Sequence, residues 1–428
     1  MSETEEPIKH STQILSDDIF SFTQDIECLH TTLPLFMKIM GIVRDDANKR
    51  FHAFIDTHTT EKIETDEVKS YSIKIEDIAE HDRLRRQYNN SLTAMRLIPR
   101  HFITSLVSQY DSFMGRIVRF IFTIKPEILN ASEKTIPYTD LIQFANIDAA
   151  REYIIEKELE TVIRKSHAEQ FAWLKDKLGT PFNKDLKSWP VFIELTECRN
   201  LFVHCDGRVS SQYIKVCSEH KCNIAPNLVI GDQLWVTPQY FEDAYKCIYE
   251  IGVKLAHVIW RRLSPDHLKG SDEKIIAITY GLIEKGEYDL AKRLLDFFTL
   301  DHMKHSSDVD KRMMIINRAQ AYKWAKDNDT CNKILLKFDW SASGDNFKLA
   351  VAVLKEKYDD AYKLMKRLKY DEKFLKTYYK DWPLFNELRK QEAFASVYEE
   401  CYGEKFTVQQ KTEEEKQVVE QYKELDAE

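Results

Sequence analysis

The sequence is poor in the residues that interrupt helices. Its 428 residues include only 11 glycines and 11 prolines, and long stretches contain neither. Glycine and proline are the residues least compatible with a helix interior. This scarcity predicts a mostly helical protein. A chain of this length is also expected to form two or three domains, because single hydrophobic cores rarely grow so large.

An excess of positive charge is also missing. The formal net charge is −8, which excludes a general electrostatic attraction to nucleic acid. A phosphate-bearing partner would therefore need a local basic patch. The candidates are Arg83, Arg85, Arg86, Arg96, Arg100, Arg116 and Arg119. For any single cluster, a solvated face with interspersed acids is the simpler interpretation.

Signals for secretion, membranes and disulfides are weak. The eight cysteines have irregular spacing, which does not indicate a disulfide framework. Residues 1–7 are polar and acidic, unlike a secretory signal. The apolar stretch 33–43 is interrupted by Lys38 and is too short to span a bilayer. We expect a cytoplasmic protein without a membrane partner.

Motifs for nucleotide, serine-hydrolase and metal chemistry are absent too. The sequence has no Gly-rich phosphate loop, no G-x-S-x-G and no H-E-x-x-H. Cys217 and Cys222 flank His220, but the second close pair that is typical of zinc sites is missing. We therefore expect neither a metal nor a cofactor.

Apolar spacing predicts the helices of the first 264 residues. In the strongest pattern, apolar residues recur at intervals of three and four residues, as a buried helix face requires. It consists of Ile103, Leu106, Val107, Tyr110, Phe113, Met114, Ile117 and Val118. Another helix opens at Trp189-Pro190 and stops at Asp206-Gly207. A small β excursion is predicted for residues 212–217 and 227–236, and a last helix for residues 238–262.

Beyond a boundary near residues 264–270, the pattern changes to short helical pairs. They cover residues 277–298, 317–335 and 347–368, and Gly286 lies at the first turn. Their period resembles that of tetratricopeptide repeats, whose stacked units leave a groove for a protein partner. The predicted divisions are a helical region 1–95, a bundle 96–264, a helical-repeat domain 270–406 and a charged tail 407–428.

One short segment carries recognisable chemistry. In Arg199-Asn200-Leu201-Phe202-Val203-His204, the side chains of Arg199, Asn200 and His204 fall within one sector of the helix. RNA transesterification needs a proton taken from a 2′-hydroxyl, a proton given to the leaving oxygen, and stabilisation of phosphoryl charge. An imidazole serves either proton step near neutral pH, and a guanidinium suits the phosphate.

The segment ECRNLFVHCDG resembles the motif of the HEPN superfamily, and SLVSQYDSFMGRIVRFIF resembles the opening helix of its RiboL-PSP-like and ApeA-like branches. The resemblance covers roughly residues 95–262. It implies a helical bundle that pairs as a homodimer with its two motifs facing each other. It also implies phosphate binding by Arg199, orientation by Asn200 and acid–base transfer by His204. Many members are toxins or antiphage effectors that cut RNA, and others are not nucleases.

Two alternatives stay open at this stage. Asp111 in the opening helix can pair with Arg199 and fix its geometry, or it can be a solvated acid on a polar face. The chain as a whole is expected to be all-α and to be a metal-independent endoribonuclease acting on RNA. The competing hypothesis is a non-catalytic HEPN scaffold that dimerises and holds a protein partner on its C-terminal repeats.

Overall fold

The protein is predominantly α-helical, which confirms the expected all-α class. The structure is a computed structural model that describes residues 5–64, 69–131, 134–183 and 186–407. Residues 408–428, nearly all of the predicted charged tail, lie outside this description. The chain divides into two compact units at His267–Leu268, close to the boundary expected near residues 264–270.

Eight helices and one β-hairpin form the described part of the first unit. The helices are α1 Glu5–His58, α2 Ile78–Ile124, α3 Tyr138–Leu141, α4 Ile147–Ile163, α5 His167–Leu178, α6 Trp189–His204, α7 Ser211–Glu219 and α8 Pro238–Leu263. Strands β1 Thr59–Glu64 and β2 Lys69–Ile73 pair antiparallel. Single 3₁₀ turns cover Ile75–Asp77 and Pro126–Ala131.

Helices α1 and α2 run antiparallel as one long hairpin. The rings of Phe22 and Phe113 stack 4.2 Å apart, and Phe51 lies 6.0 Å from Tyr88 nearer the β-hairpin. Helix α2 is continuous across residues 95–96. The structure therefore shows no division at the boundary predicted there, and α1 belongs to the same unit as the rest of the bundle.

The core of this unit lies where α1, α6 and α8 pack around α2. Every member of the apolar stripe that the sequence predicted on α2 is fully buried. Gly252 of α8 lets that helix approach α1, since a Cβ atom there would overlap the ring of Phe22. Burying each large apolar side chain contributes about 1.5–3 kcal/mol, so this face contributes substantially to the unit's stability.

The predicted β excursion is only marginally present. Residues 212–217 belong to helix α7, because the Ser210 hydroxyl accepts the Tyr213 amide and caps a new helix. Tyr213 and Cys217, four residues apart, then face the core. Residues 227–236 form no strand and keep a single bridge between Arg208 and Gln233. The strands instead lie earlier in the chain, at Thr59–Glu64 and Lys69–Ile73.

The described part of the second unit consists of three helical pairs followed by two shorter helices. They are α9 Leu268–Glu284, α10 Tyr288–Phe298, α11 Asp308–Trp324, α12 Asn328–Leu336, α13 Asp345–Leu354, α14 Tyr358–Leu368, α15 Tyr378–Asp381 and α16 Phe394–Tyr402. Single 3₁₀ turns cover Pro383–Phe385 and Leu388–Lys390. Gly286, Lys326 and Glu356 have positive φ at the three tight turns, as helix ends often require.

Helix α1 exposes an apolar stripe made of Leu35, Phe36, Ile39, Ile42 and Val43. By length and composition alone, the segment Lys9–His58 could cross a bilayer, although the apolar stretch within it was expected to be too short. The core helix of a soluble protein and a signal sequence meet the same criterion. The cytoplasmic location therefore stays a prediction.

Candidate active site at the end of helix α6

Helix α6 presents the motif residues in its last two turns. The helix ends because Asp206 and Gly207 adopt positive φ values of 48° and 74°. The Gly207 amide donates back to the Leu201 carbonyl at 2.9 Å and closes the end. A side chain at Gly207 would collide with Gln233 and Phe202, so glycine is needed both for its conformation and for space.

Arg199 is held by Asp111, which is itself bonded to His167. Its Nη2 donates to Asp111 Oδ2 of α2 at 2.6 Å. The other carboxylate oxygen, Oδ1, lies 2.8 Å from Nε2 of His167, the first residue of α5. Asp111 therefore joins a guanidinium on one side to an imidazole on the other. The ion pair that the sequence suggested between Asp111 and Arg199 is present.

This arrangement is partly shielded from water. The side chains of His167, Arg199 and Asp111 are 9%, 21% and 25% exposed. Such shielding strengthens a charged hydrogen bond relative to one at the open surface. One guanidinium nitrogen is used by Asp111, and a guanidinium has five N–H donors. Arg199 can therefore bind an anion while Asp111 holds it in place.

Asn200 belongs to the same polar cluster. Its side chain lies near the carboxyl group of Glu197, three residues earlier on α6, and favours the charged form of that group. Burial raises the pKa of Glu197, and the neighbouring His167, Asn200, Arg199 and His220 act in the opposite direction. A carboxyl group with a raised pKa is closer to exchanging protons near neutral pH. Glu197 is therefore a neighbour of the site.

His204 is the last residue of α6, one turn beyond Asn200, and its side chain is exposed. In the described part of the chain, no hydrogen bond or ion pair joins His204 to another side chain. The imidazole is therefore open to solvent. The structure brings Arg199, Asn200 and Asp111 into one cluster and places His204 beside it, at the surface.

Most of the arginines considered for a basic patch are paired within the protein. Arg83 donates to Glu80, Arg116 lies 3.0 Å from Asp18, and Arg119 pairs with Glu152. These pairs fit the simpler interpretation of solvated, mixed-charge faces. Arg96 and Arg100, which lie near the motif, are both paired with Asp206.

A second polar cluster joins α6 to α7 and α8. The half-buried carboxylate of Glu194 accepts hydrogen bonds from the hydroxyls of Tyr213 on α7 and Tyr240 on α8, at 2.7 and 2.9 Å. Burial raises the pKa of Glu194, and both tyrosine bonds counter the shift. Cys198 and Cys217 lie in the adjoining core. This cluster fixes the orientation of α6 and so positions the motif.

His167 is the site residue that sequence reasoning missed. It follows Ser166, which forms a capping box with Glu169 at the start of α5, and that signal predicts a helix start but no contact with Asp111. Taken together, the site offers an anchored guanidinium, an amide, an exposed imidazole and a half-buried carboxyl group. No known protein family matches this sequence, and neither a curated protein nor a solved structure shows a match.

Proposed function

We propose that this chain is a HEPN-type, metal-independent endoribonuclease that cleaves RNA by attack of a 2′-hydroxyl on the adjacent phosphate. One observation carries the proposal. Asp111 holds Arg199 at 2.6 Å. Arg199 lies on α6, the helix that also presents Asn200 and an exposed His204. A cation, an amide and a proton-transfer group thus lie within two helical turns, where one phosphodiester can meet them.

Each residue has a role in that reaction. The His204 imidazole takes the proton from the 2′-hydroxyl while the 2′-oxygen forms its bond to phosphorus. Arg199 stabilises the negative charge that builds on the non-bridging oxygens, and Asn200 orients the phosphate or the histidine. The bond to the 5′-oxygen then breaks, and that oxygen takes a proton from water or from His204 of a second copy. The products are a 2′,3′-cyclic phosphate and a 5′-hydroxyl.

The proposal includes the biological setting that the resemblance implies. Two copies would pair through the bundle of the first unit so that their motifs face each other. The chain would then act as a toxin or antiphage defence effector. Toxicity on expression that disappears with His204→Ala is the expected consequence.

A protein partner on the second unit is part of the same proposal. An apolar cleft of about 270 Å³ lies between α9 and α11, with Tyr280, Met313 and Trp382 among its lining residues. Asn317 also lines it, and its side-chain nitrogen is buried with no hydrogen-bond partner. Apolar clefts of this kind are suited to side chains of another protein.

A non-catalytic scaffold is the second candidate function. It is supported by the apolar stripe of α1 described above, because exposed apolar surface of this kind often marks a protein contact. In that case the bundle and the repeats would only bind partners, and the motif residues would have no substrate.

The proposed function is tested by incubating purified full-length protein with mixed cellular RNA in EDTA. We expect cleavage by the wild type and a loss of about 10²- to 10⁴-fold in rate with His204→Ala. The matched control is His302→Ala, which removes an exposed histidine of the second unit and should cleave normally. Cleavage that persists in His204→Ala would rule out the assigned role, and the absence of cleavage on all RNAs would favour the scaffold.

A further inference from the structure

The segment that follows α7 is bonded tightly to the end of the motif helix. The Leu234 amide donates to the Gly207 carbonyl at 2.9 Å, and the Val209 amide donates to the Asp232 carbonyl at 2.9 Å. The Gly231 amide donates in turn to the Val209 carbonyl at 2.9 Å. An irregular segment with this many backbone bonds has a fixed position. It lies beside the residues that directly follow His204.

Arg100 of α2 also bonds to this junction between the end of α6 and the segment after α7. Its Nη1 donates to both the carbonyl and the carboxylate of Asp206 at 3.1 Å, and its Nη2 donates to the Leu234 carbonyl at 3.3 Å. The Gln233 side chain adds a bond to the Asp206 carbonyl at 2.8 Å. Because Arg100 is almost fully buried, its guanidinium is a rigid support.

These contacts place one large aromatic side chain at the surface. Trp235 is 63% exposed, although its backbone neighbour Leu234 is bonded to both Gly207 and Arg100. The Arg100 guanidinium lies 5.8 Å from the centre of the indole ring, within range of a cation–π contact. Within the described residues, Trp235 makes no contact with another aromatic ring. The backbone next to its indole ring is therefore fixed, and the ring itself lies near a cation and is open to solvent.

We propose that Trp235 is a base-stacking platform and that the site takes single-stranded RNA. The inference rests on the proposed function and names its substrate class. Bases are available for stacking only where they are unpaired, and aromatic rings with nearby arginines are a common way to bind them. Trp235 neighbours the end of α6, so the stacked base would flank the phosphate at His204. Arg208, which is exposed, and Arg96, which is partly exposed and lies 4.0 Å from Asp206, are beside this junction and suit the adjoining phosphates.

The test measures binding without cleavage. A mixed-sequence single-stranded DNA 12-mer lacks the 2′-hydroxyl, so it can occupy the platform but cannot react. We expect the full-length protein to bind it more tightly than the matching duplex, by fluorescence anisotropy at low salt. Trp235→Leu keeps an apolar side chain but loses stacking, and should weaken binding about 10- to 100-fold. Trp235→Phe should restore most of the affinity.

The matched control is Tyr370→Leu. Tyr370 is 79% exposed and has the Lys369 ammonium 4.9 Å from its ring, so it copies the chemistry of the platform in the second unit. This variant should bind like the wild type. Equal binding by wild type and Trp235→Leu would overturn the proposal, as would preference for the duplex or no binding of single strands.

A change of oligomeric state in Trp235→Leu with unchanged binding would likewise overturn the platform and assign this surface to a protein contact. Failure of the proposed function looks different. A protein that binds the 12-mer through Trp235 but cuts no RNA contradicts the nuclease and leaves the platform standing. A protein that cuts RNA equally well with Trp235→Leu contradicts only the platform.

Discussion

Asp111 is the residue on which the geometry of the candidate site depends. Its two carboxylate oxygens serve different partners, Arg199 at 2.6 Å and His167 at 2.8 Å. Charge-assisted bonds of this kind are stronger and more directional than neutral ones. Because the cluster is largely shielded, removing one partner leaves a charge that water compensates only in part.

Replacing Asp111 by asparagine should therefore affect activity more than folding. The amide keeps the shape but removes the charge that holds Arg199, so we expect kcat/KM on RNA to fall about 10- to 100-fold. The free energy of unfolding should fall by about 1–2 kcal/mol, since the pair is partly exposed. Asp301→Asn, at an exposed position, is the control. Unchanged kcat/KM for Asp111→Asn would contradict the role of Asp111.

Two variants of His167 test the same cluster. The Nε2 donor of an imidazole can be replaced by the amide of glutamine but not by leucine. We expect His167→Gln to keep most of the activity and His167→Leu to lose as much as Asp111→Asn. The double variant His167→Leu with Asp111→Asn should lose little more, because the residues act as one unit. Additive losses would show that they act separately.

The sequence predicted part of this residue-scale picture. The motif residues share a helix, so their common face follows from spacing alone, and Asp111 was a candidate partner because it lies on the strongest amphipathic helix. His167 could not be predicted, since 56 residues separate it from Asp111 and no local pattern links them. Trp235 was missed for the same reason, because its position depends on the bonds of its neighbour Leu234 to Arg100 and Gly207.

At the scale of elements, local signals decided what could be predicted. The α2 stripe is long and regular, and all of it is buried as expected. Helix α7 has nine residues, and six of them, residues 212–217, were predicted as part of a β excursion. Its cap at Ser210 decided the outcome. Short segments carry too few residues for periodicity to separate the two structures.

The contact between α8 and α1 gives a prediction for stability. A Cβ atom at Gly252 would overlap the Phe22 ring, so Gly252→Ala should lower the free energy of unfolding by about 1–3 kcal/mol. Gly41 lies in α1 with nothing within 4 Å of the position of a Cβ atom. Gly41→Ala should instead stabilise by about 0.5–1 kcal/mol, through helix propensity. Urea denaturation measures both. Stabilisation by Gly252→Ala would contradict the close packing.

On the scale of the whole molecule, the chain combines two units with different designs. The boundary at His267–Leu268 follows from a change in pattern that the sequence shows, from long amphipathic helices to short pairs. The union of α1 with the bundle is not visible in the sequence, because it depends on contacts such as Phe22 with Phe113. In the proposed function, the first unit cleaves RNA and the second binds a partner.

The central claim is that the chain cuts RNA through the 2′-hydroxyl, and the chemistry of the ends tests it most directly. Full-length protein is incubated with a single-stranded RNA and with the same strand carrying 2′-O-methyl riboses, and the products are weighed by mass spectrometry. The account predicts 2′,3′-cyclic phosphate and 5′-hydroxyl ends from the first strand and an intact second strand. Ends with a 5′-phosphate, or cutting of the methylated strand, would contradict it.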